Sequence, residues 1–151
     1  MPEAWRIVKE KHVPTAFSGE GAARVGGRWN SRGVAVVYAS ATRSLAALET
    51  LVHLNPPIFL KYKIIRIEFA KELVGEIVSA LPGDWKQEPP PPSTRQIGDA
   101  WVRESRSAML ALPSIIIPDE NNYLLNPAHP GFHKVIIHPP EDFIFDPRLL
   151  R

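Results

Sequence analysis

Between a first strand at Ala4–Val8 and a second at Val34–Ala39, the chain runs through a long connection punctuated by Gly19, Gly21, Gly26, Gly27 and Gly33. A connection of that length inside a compact domain is uncommon and is often functional. It also breaks any regular strand–helix–strand alternation, as do the short strands expected further along. Short strands mixed with two helices argue for an α+β fold rather than a doubly wound parallel sheet.

Ser40 or Thr42 can cap a helix running to about Leu54, with Asn55-Pro56-Pro57 as its stop. Phe59–Phe69 has the β-forming residues of a strand. Pro82-Gly83-Asp84-Trp85 reads as a turn and Pro89–Pro92 as a stiff polyproline spacer, too short to link domains. Ser93 is expected to cap a helix to about Leu110, with Ile97, Trp101 and Ala108 at helical spacing. Three proline-bounded strands, Ser114–Ile117, Lys134–His138 and Phe143–Phe145, are expected to close a single domain over residues 1–151.

The sequence has no apolar run long enough to span a bilayer and its first residues lack a signal-peptide pattern. It contains no cysteine, which excludes disulfides and thiolate metal sites and fits a cytoplasmic protein. The net charge of +2 hides an asymmetry: residues 1–71 carry 11 Lys and Arg against 5 Asp and Glu, and the remainder carries 7 against 11. The basic residues are scattered rather than striped, which argues against a nucleic-acid groove.

The chemistry gathers near the glycines. Gly26-Gly27-Arg28-Trp29-Asn30-Ser31-Arg32-Gly33 is followed by Val36-Val37-Tyr38 and then by Glu49. Arg28 can offer a planar fork to a phosphate or carboxylate. The Tyr38 ring can stack on a flat heterocycle while its hydroxyl stays wet. Glu49 falls at the edge of an apolar helix face defined by Leu45, Leu48 and Val52, where a carboxylate is partly desolvated. A cation, an aromatic ring and such a carboxylate suggest a small anionic ligand with a reactive sugar. Trp29 and Trp101, by contrast, read as core. Ser114 opens an apolar run without a partner histidine and aspartate, so it is a hydrogen-bond donor rather than a nucleophile. The five histidines show no zinc-ligand spacing, Gly19-x-Gly21-x-x-Arg24 fails the dinucleotide fingerprint, and no Walker motif is present.

Taken in order, these residues match a known pattern. Gly27-Arg28-Trp29-Asn30, Val37-Tyr38-Ala39-Ser40, Ala47-Leu48-Glu49, Trp101 and Leu112-Pro113-Ser114 come first. Asn122–Pro130 and Phe145-Asp146-Pro147-Arg148-Leu149 follow. Over nearly its whole length the chain resembles the RES domain family, toxins of RES–Xre toxin–antitoxin pairs. The resemblance implies a mixed, split β-sheet core with surrounding helices, as in ADP-ribosyltransferases. It implies a toxin that breaks the nicotinamide–ribose bond of NAD by phosphorolysis or hydrolysis, or that transfers ADP-ribose to a protein. Arg28, Tyr38, Glu49 and Ser114 are then the expected catalytic set, with Arg28, Trp29, Tyr38, Ser114 and Asn126 touching substrate. NAD is substrate rather than resident cofactor, inorganic phosphate is a possible co-substrate, and no metal is expected. The implied partner is an Xre-type helix-turn-helix antitoxin with which the toxin oligomerises, without direct nucleic-acid or membrane contact. An RNA-binding or RNA-cleaving toxin is the weaker alternative. The proline-rich 82–92 segment belongs to none of the matching pieces.

Overall fold

A computed structural model describes residues 1–53 and 61–150, apart from the side chain of Leu150. The expected helix stop at Asn55-Pro56-Pro57 and the start of the expected strand at Phe59 lie outside the described residues. The strands are β1 (Glu3–Lys9), β2 (Val37–Ser40), β3 (Tyr62–Glu68), β4 (Val74–Ile77), β5 (Met109–Pro113), β6 (Asn121–Leu125), β7 (Ile136–Ile137) and β8 (Glu141–Phe143). The α-helices are α1 (Glu20–Val25), α2 (Arg43–Leu51) and α3 (Pro92–Arg103). The described strands form a mixed sheet in the order β4-β5-β6-β2-β1-β3-β7, with β8 also against β3. The β4–β5 pair is parallel and the other described pairs are antiparallel. This is the expected α+β class.

Residues in register across antiparallel strands share a face of the sheet. Tyr38 pairs with Leu124, which pairs with Leu110; Trp5 pairs with Ser40, then Asn122, then Leu112. Those residues lie on one face, and both long helices cover it. Ala46, Ala47 and Leu51 of α2 pack on Trp5, Ile7 and Ile64. Ile97 and Trp101 of α3 pack on Leu110, Leu112 and Leu124. Tyr38 and Ser40 therefore lie between the two helices. The other face buries Ala4, Val37, Ala39, Met109 and Leu125 against Phe17, Phe69, Phe132 and Val135.

Several sequence expectations shift. Part of the glycine-rich connection is ordered as a 3-10 helix at Glu10–Thr15 and as α1. β2 starts at Val37 rather than Val34, and Ser40 ends that strand. Thr42 is thus the cap of α2, its hydroxyl accepting from the Leu45 amide at 3.0 Å. The buried face of α2 is Leu45 and Ala46, whereas Val52 is 60% exposed. Pro91 caps α3 and Pro92 occupies its first turn, where the missing N–H costs nothing; Ser93 instead donates to Asp84 at 2.6 Å.

The second half departs furthest from the sequence expectation. α3 ends at Arg103, and Ser105 takes a left-handed φ of 49°, which stops a helix. The apolar run expected to finish α3 is β5, because a short run of that kind fits either element. The strand expected at Ser114–Ile117 is a bend, and Ser114 follows a strand instead of opening one. β4 and β6 were not anticipated. The strand expected at Lys134–His138 shrinks to β7, and Phe143–Phe145 gives way to β8 at Glu141–Phe143.

Trp101 is the core residue expected, fully buried with its indole Nε1 donating to Ser107 Oγ at 2.8 Å. That hydroxyl in turn donates to the Met109 carbonyl at 2.7 Å, so the polar end of the ring is satisfied.

Candidate active site

Three supports hold the Gly26–Gly33 turn over the sheet. The first is Asn30, fully buried, whose Nδ2 donates to the carbonyls of Ala22 (2.9 Å) and Val34 (3.1 Å). The second is Tyr38, whose hydroxyl donates to Asn30 Oδ1 at 2.6 Å and accepts from the Trp29 amide at 3.1 Å. The third is Asp99 of α3, which accepts from both the amide (2.9 Å) and the hydroxyl (2.5 Å) of Ser31. Gly27 is required by this packing: a Cβ there would meet Tyr38 Oη at 2.7 Å.

The tyrosine therefore differs from its expected form. Its hydroxyl is consumed by the turn rather than wet. Burial pushes the phenol well above its usual pKa range, and the Trp29 amide and Arg28 offset this only in part. At neutral pH Tyr38 is a neutral donor and cannot serve as a base. Tyr38→Phe leaves Asn30 Oδ1 and the Trp29 amide without this partner, and should cost about 1–2 kcal/mol in urea unfolding. An unchanged midpoint would mean that the hydroxyl does not hold the turn. The Trp29 ring is buried with Val36, Trp101 and Leu110, as its core reading expects, and it supports the turn from below.

Glu49 and Ser114 are 65 residues apart in sequence, yet Ser114 Oγ donates to Glu49 Oε1 at 2.7 Å. Ser114 is fully buried, and its oxygen accepts from the amides of Ile116 and Ile117, each at 3.1 Å. Those two donors fix the hydroxyl proton towards the carboxylate. One Glu49 oxygen is thus oriented, and the half-buried side chain keeps its other acceptor positions for something else. Arg28 feels this carboxylate: burial lowers the guanidinium pKa, while attraction to Glu49 opposes that shift. Arg28, Tyr38, Glu49 and Ser114 accordingly cluster over the face between α2 and α3.

Asn126 is buried, but its Oδ1 accepts from the Ala128 amide at 3.0 Å, closing a local turn after β6. Its described contact is structural.

The guanidinium of Arg28 does not stand free. Nη1 donates to the carbonyls of Trp85 (3.0 Å) and Gln87 (2.9 Å), and Nη2 pairs with Glu88 Oε1. Sequence reading missed this partner, along with Asp99 and Arg6. Arg6 Nε donates to the Ala16 carbonyl at 2.8 Å and its Nη1 to the Tyr38 carbonyl at 2.9 Å. Burial lowers its pKa to about 10, which still leaves it charged at neutral pH. Asp99 had a local signal: it is the lone carboxylate in α3, next to Gly98.

Residues 3–146 match the RES domain. The chain belongs to the RES domain family. Curated RES relatives match it end to end. It is 39% identical to a Prs ADP-ribosylating toxin of Sphingobium over 97% of this chain and 96% of that one. It is 37% identical to Toxin Res of Yersinia enterocolitica, covering 96% and 97% of the two chains. The fold also matches the crystal structure of the M. tuberculosis MbcT–MbcA toxin–antitoxin complex, with a TM-score of 0.74 at 16% identity. That alignment covers 98% of this chain and 86% of the other. Among the described residues of this RES domain no helix is long and apolar enough to cross a membrane.

Proposed function

We propose that this chain is the toxin of a toxin–antitoxin pair and that it consumes NAD by breaking the nicotinamide–ribose bond. The observation that carries the reading is the Glu49 carboxylate, held by the buried Ser114 hydroxyl within the field of Arg28. Departure of neutral nicotinamide leaves positive, oxocarbenium-like charge on the ribose. A carboxylate whose orientation is already fixed stabilises that charge with no reorganisation during the reaction. Its remaining acceptor positions suit the ribose hydroxyls.

Ser114 acts as a positioning residue for Glu49, because its proton is committed to that oxygen. Tyr38, neutral and tied down by its hydroxyl, presents its ring as the flat wall of the cleft. Arg28 orients the anionic part of the substrate. Phosphate, water or a protein side chain then adds at the ribose carbon that nicotinamide has left. NAD is substrate in this scheme, and the partner is an antitoxin of the Xre helix-turn-helix type.

Transfer to a protein is the second reading, favoured by the 39%-identical relative named as an ADP-ribosylating toxin. Incubation with NAD, with and without inorganic phosphate, separates the possibilities. ADP-ribose-1″-phosphate formed only with phosphate indicates phosphorolysis, free ADP-ribose indicates hydrolysis, and labelled protein in a lysate indicates transfer. Undiminished NAD in all three arms would sink the proposal.

A further inference from the structure

The partners of Arg28 come from the proline-rich 82–92 segment. Two anchors tie this segment to α3: Ser93 Oγ donates to Asp84 at 2.6 Å, and Arg95 Nη1 donates to the Pro90 carbonyl at 2.5 Å. Between the anchors the chain arches over Arg28 and places two carbonyls and one carboxylate on its fork. The two ends of the ion pair differ sharply in environment. The Arg28 side chain is 10% exposed and the Glu88 side chain 65% exposed. Arg28 is held in place by its surroundings, whereas Glu88 can turn into water without a desolvation cost.

A cation satisfied by an exposed carboxylate of its own chain has the form of an anion site with an internal occupant. We propose that the Trp85–Glu88 arch fills a phosphoryl-binding site on Arg28, and that the diphosphate of a ligand displaces Glu88 from it. The ligand class follows from the donor geometry, since a planar guanidinium takes the paired oxygens of a phosphoryl group better than one oxygen of a carboxylate. The neighbourhood supplies more positive charge. A cavity of about 320 Å³ on the same turn is lined by Gly26, Gly27, Ser31 and Pro90 together with Arg32 and Arg95. The consequence is regulatory: Glu88 competes with the ligand, so occupancy requires the arch to give way. This rests on Arg28 facing the ligand, as read above, but it does not depend on which bond is broken.

Inorganic pyrophosphate tests it without reference to turnover. Calorimetric titration at low salt should show Glu88→Gln binding pyrophosphate roughly two- to fivefold more tightly than the unaltered chain, the range an exposed ion pair supports. Asp84→Asn removes a charge from the same segment without touching Arg28 and keeps an amide oxygen to accept from Ser93 Oγ, so the anchor stays and its affinity should not change. An equal gain in Asp84→Asn would reduce the effect to general charge and overturn the proposal. So would unchanged or weaker binding by Glu88→Gln, or no binding by either protein. Emission from Trp85, isolated by comparison with Trp85→Phe, should shift as pyrophosphate binds; a static signal would show that the arch does not move. If Glu88→Gln tightens pyrophosphate but no variant consumes NAD, the arch is upheld and the NAD reading falls. If both hold, kcat/KM for NAD rises in Glu88→Gln.

Discussion

Replacing Glu49 with glutamine should cut NAD consumption by roughly a thousandfold, about 4 kcal/mol of transition-state stabilisation. The amide keeps the size of the side chain and can still accept from Ser114 Oγ, so the geometry survives while the negative charge is lost. The fold should be hardly affected. Glu49 is half-buried, and the contact described for it is one hydrogen bond, worth about 1 kcal/mol. Ser114→Ala should give a smaller loss, because the carboxylate remains but is no longer aimed. Quantifying nicotinamide release by chromatography, beside a urea unfolding curve, separates the two effects. Wild-type turnover by Glu49→Gln would remove the carboxylate from the mechanism. A parallel collapse of stability would recast it as a structural group.

The second large effect lies in α3, away from the reacting atoms. Gly98→Ala places a Cβ 1.7 Å from the Trp29 carbonyl oxygen and 3.2 Å from Leu124 Cδ2. The first contact is with backbone, so no rotamer relieves it. Helix and turn must separate by roughly 2 Å to regain ordinary contact at about 3.5 Å. Overpacking of this kind costs about 3 kcal/mol or more, and it outweighs the roughly 1 kcal/mol by which alanine favours a helix over glycine. In a chain of this length that is a drop of about 6–12 °C in Tm. Gly21→Ala in α1, where nothing lies within 4 Å, should leave the Tm unchanged or raise it slightly. Scanning calorimetry of the two variants checks the pair, and equal Tm values would show that α3 does not press on the turn. Since Trp29 adjoins Arg28, the displaced turn should also lower NAD turnover.

Gly98 illustrates what the sequence made legible and what it did not. Its helix was readable from the spacing of Ile97 and Trp101. The approach of that helix to the Trp29 carbonyl depends on a partner 69 residues away and left no local trace. Arg28, Tyr38 and Glu49 stood out because each breaks a local pattern: a cation among glycines, an aromatic ending a valine run, a carboxylate beside apolar helix residues. β6 was hidden because Asn121 and Asn122 are poor strand formers; pairing with β2 and β5 overrides their preference. Ser114 was recognised as a hydrogen-bond donor, yet it was placed at the wrong end of a strand. The family pattern pointed to this serine, while the acceptor it serves became visible only in three dimensions.

The sheet order has a consequence for synthesis. β6 lies between β2 and β5, so the strand carrying Tyr38 is paired on one edge only, with β1, until residues 121–125 have been made. Glu49 lacks Ser114 over most of the same interval. A chain growing from its N-terminus can form the β1–β3 pairing early, but it assembles no working cleft until four-fifths of its length exists. The order of synthesis thus differs from the order of the sheet: the central strand that joins its two halves comes among the last.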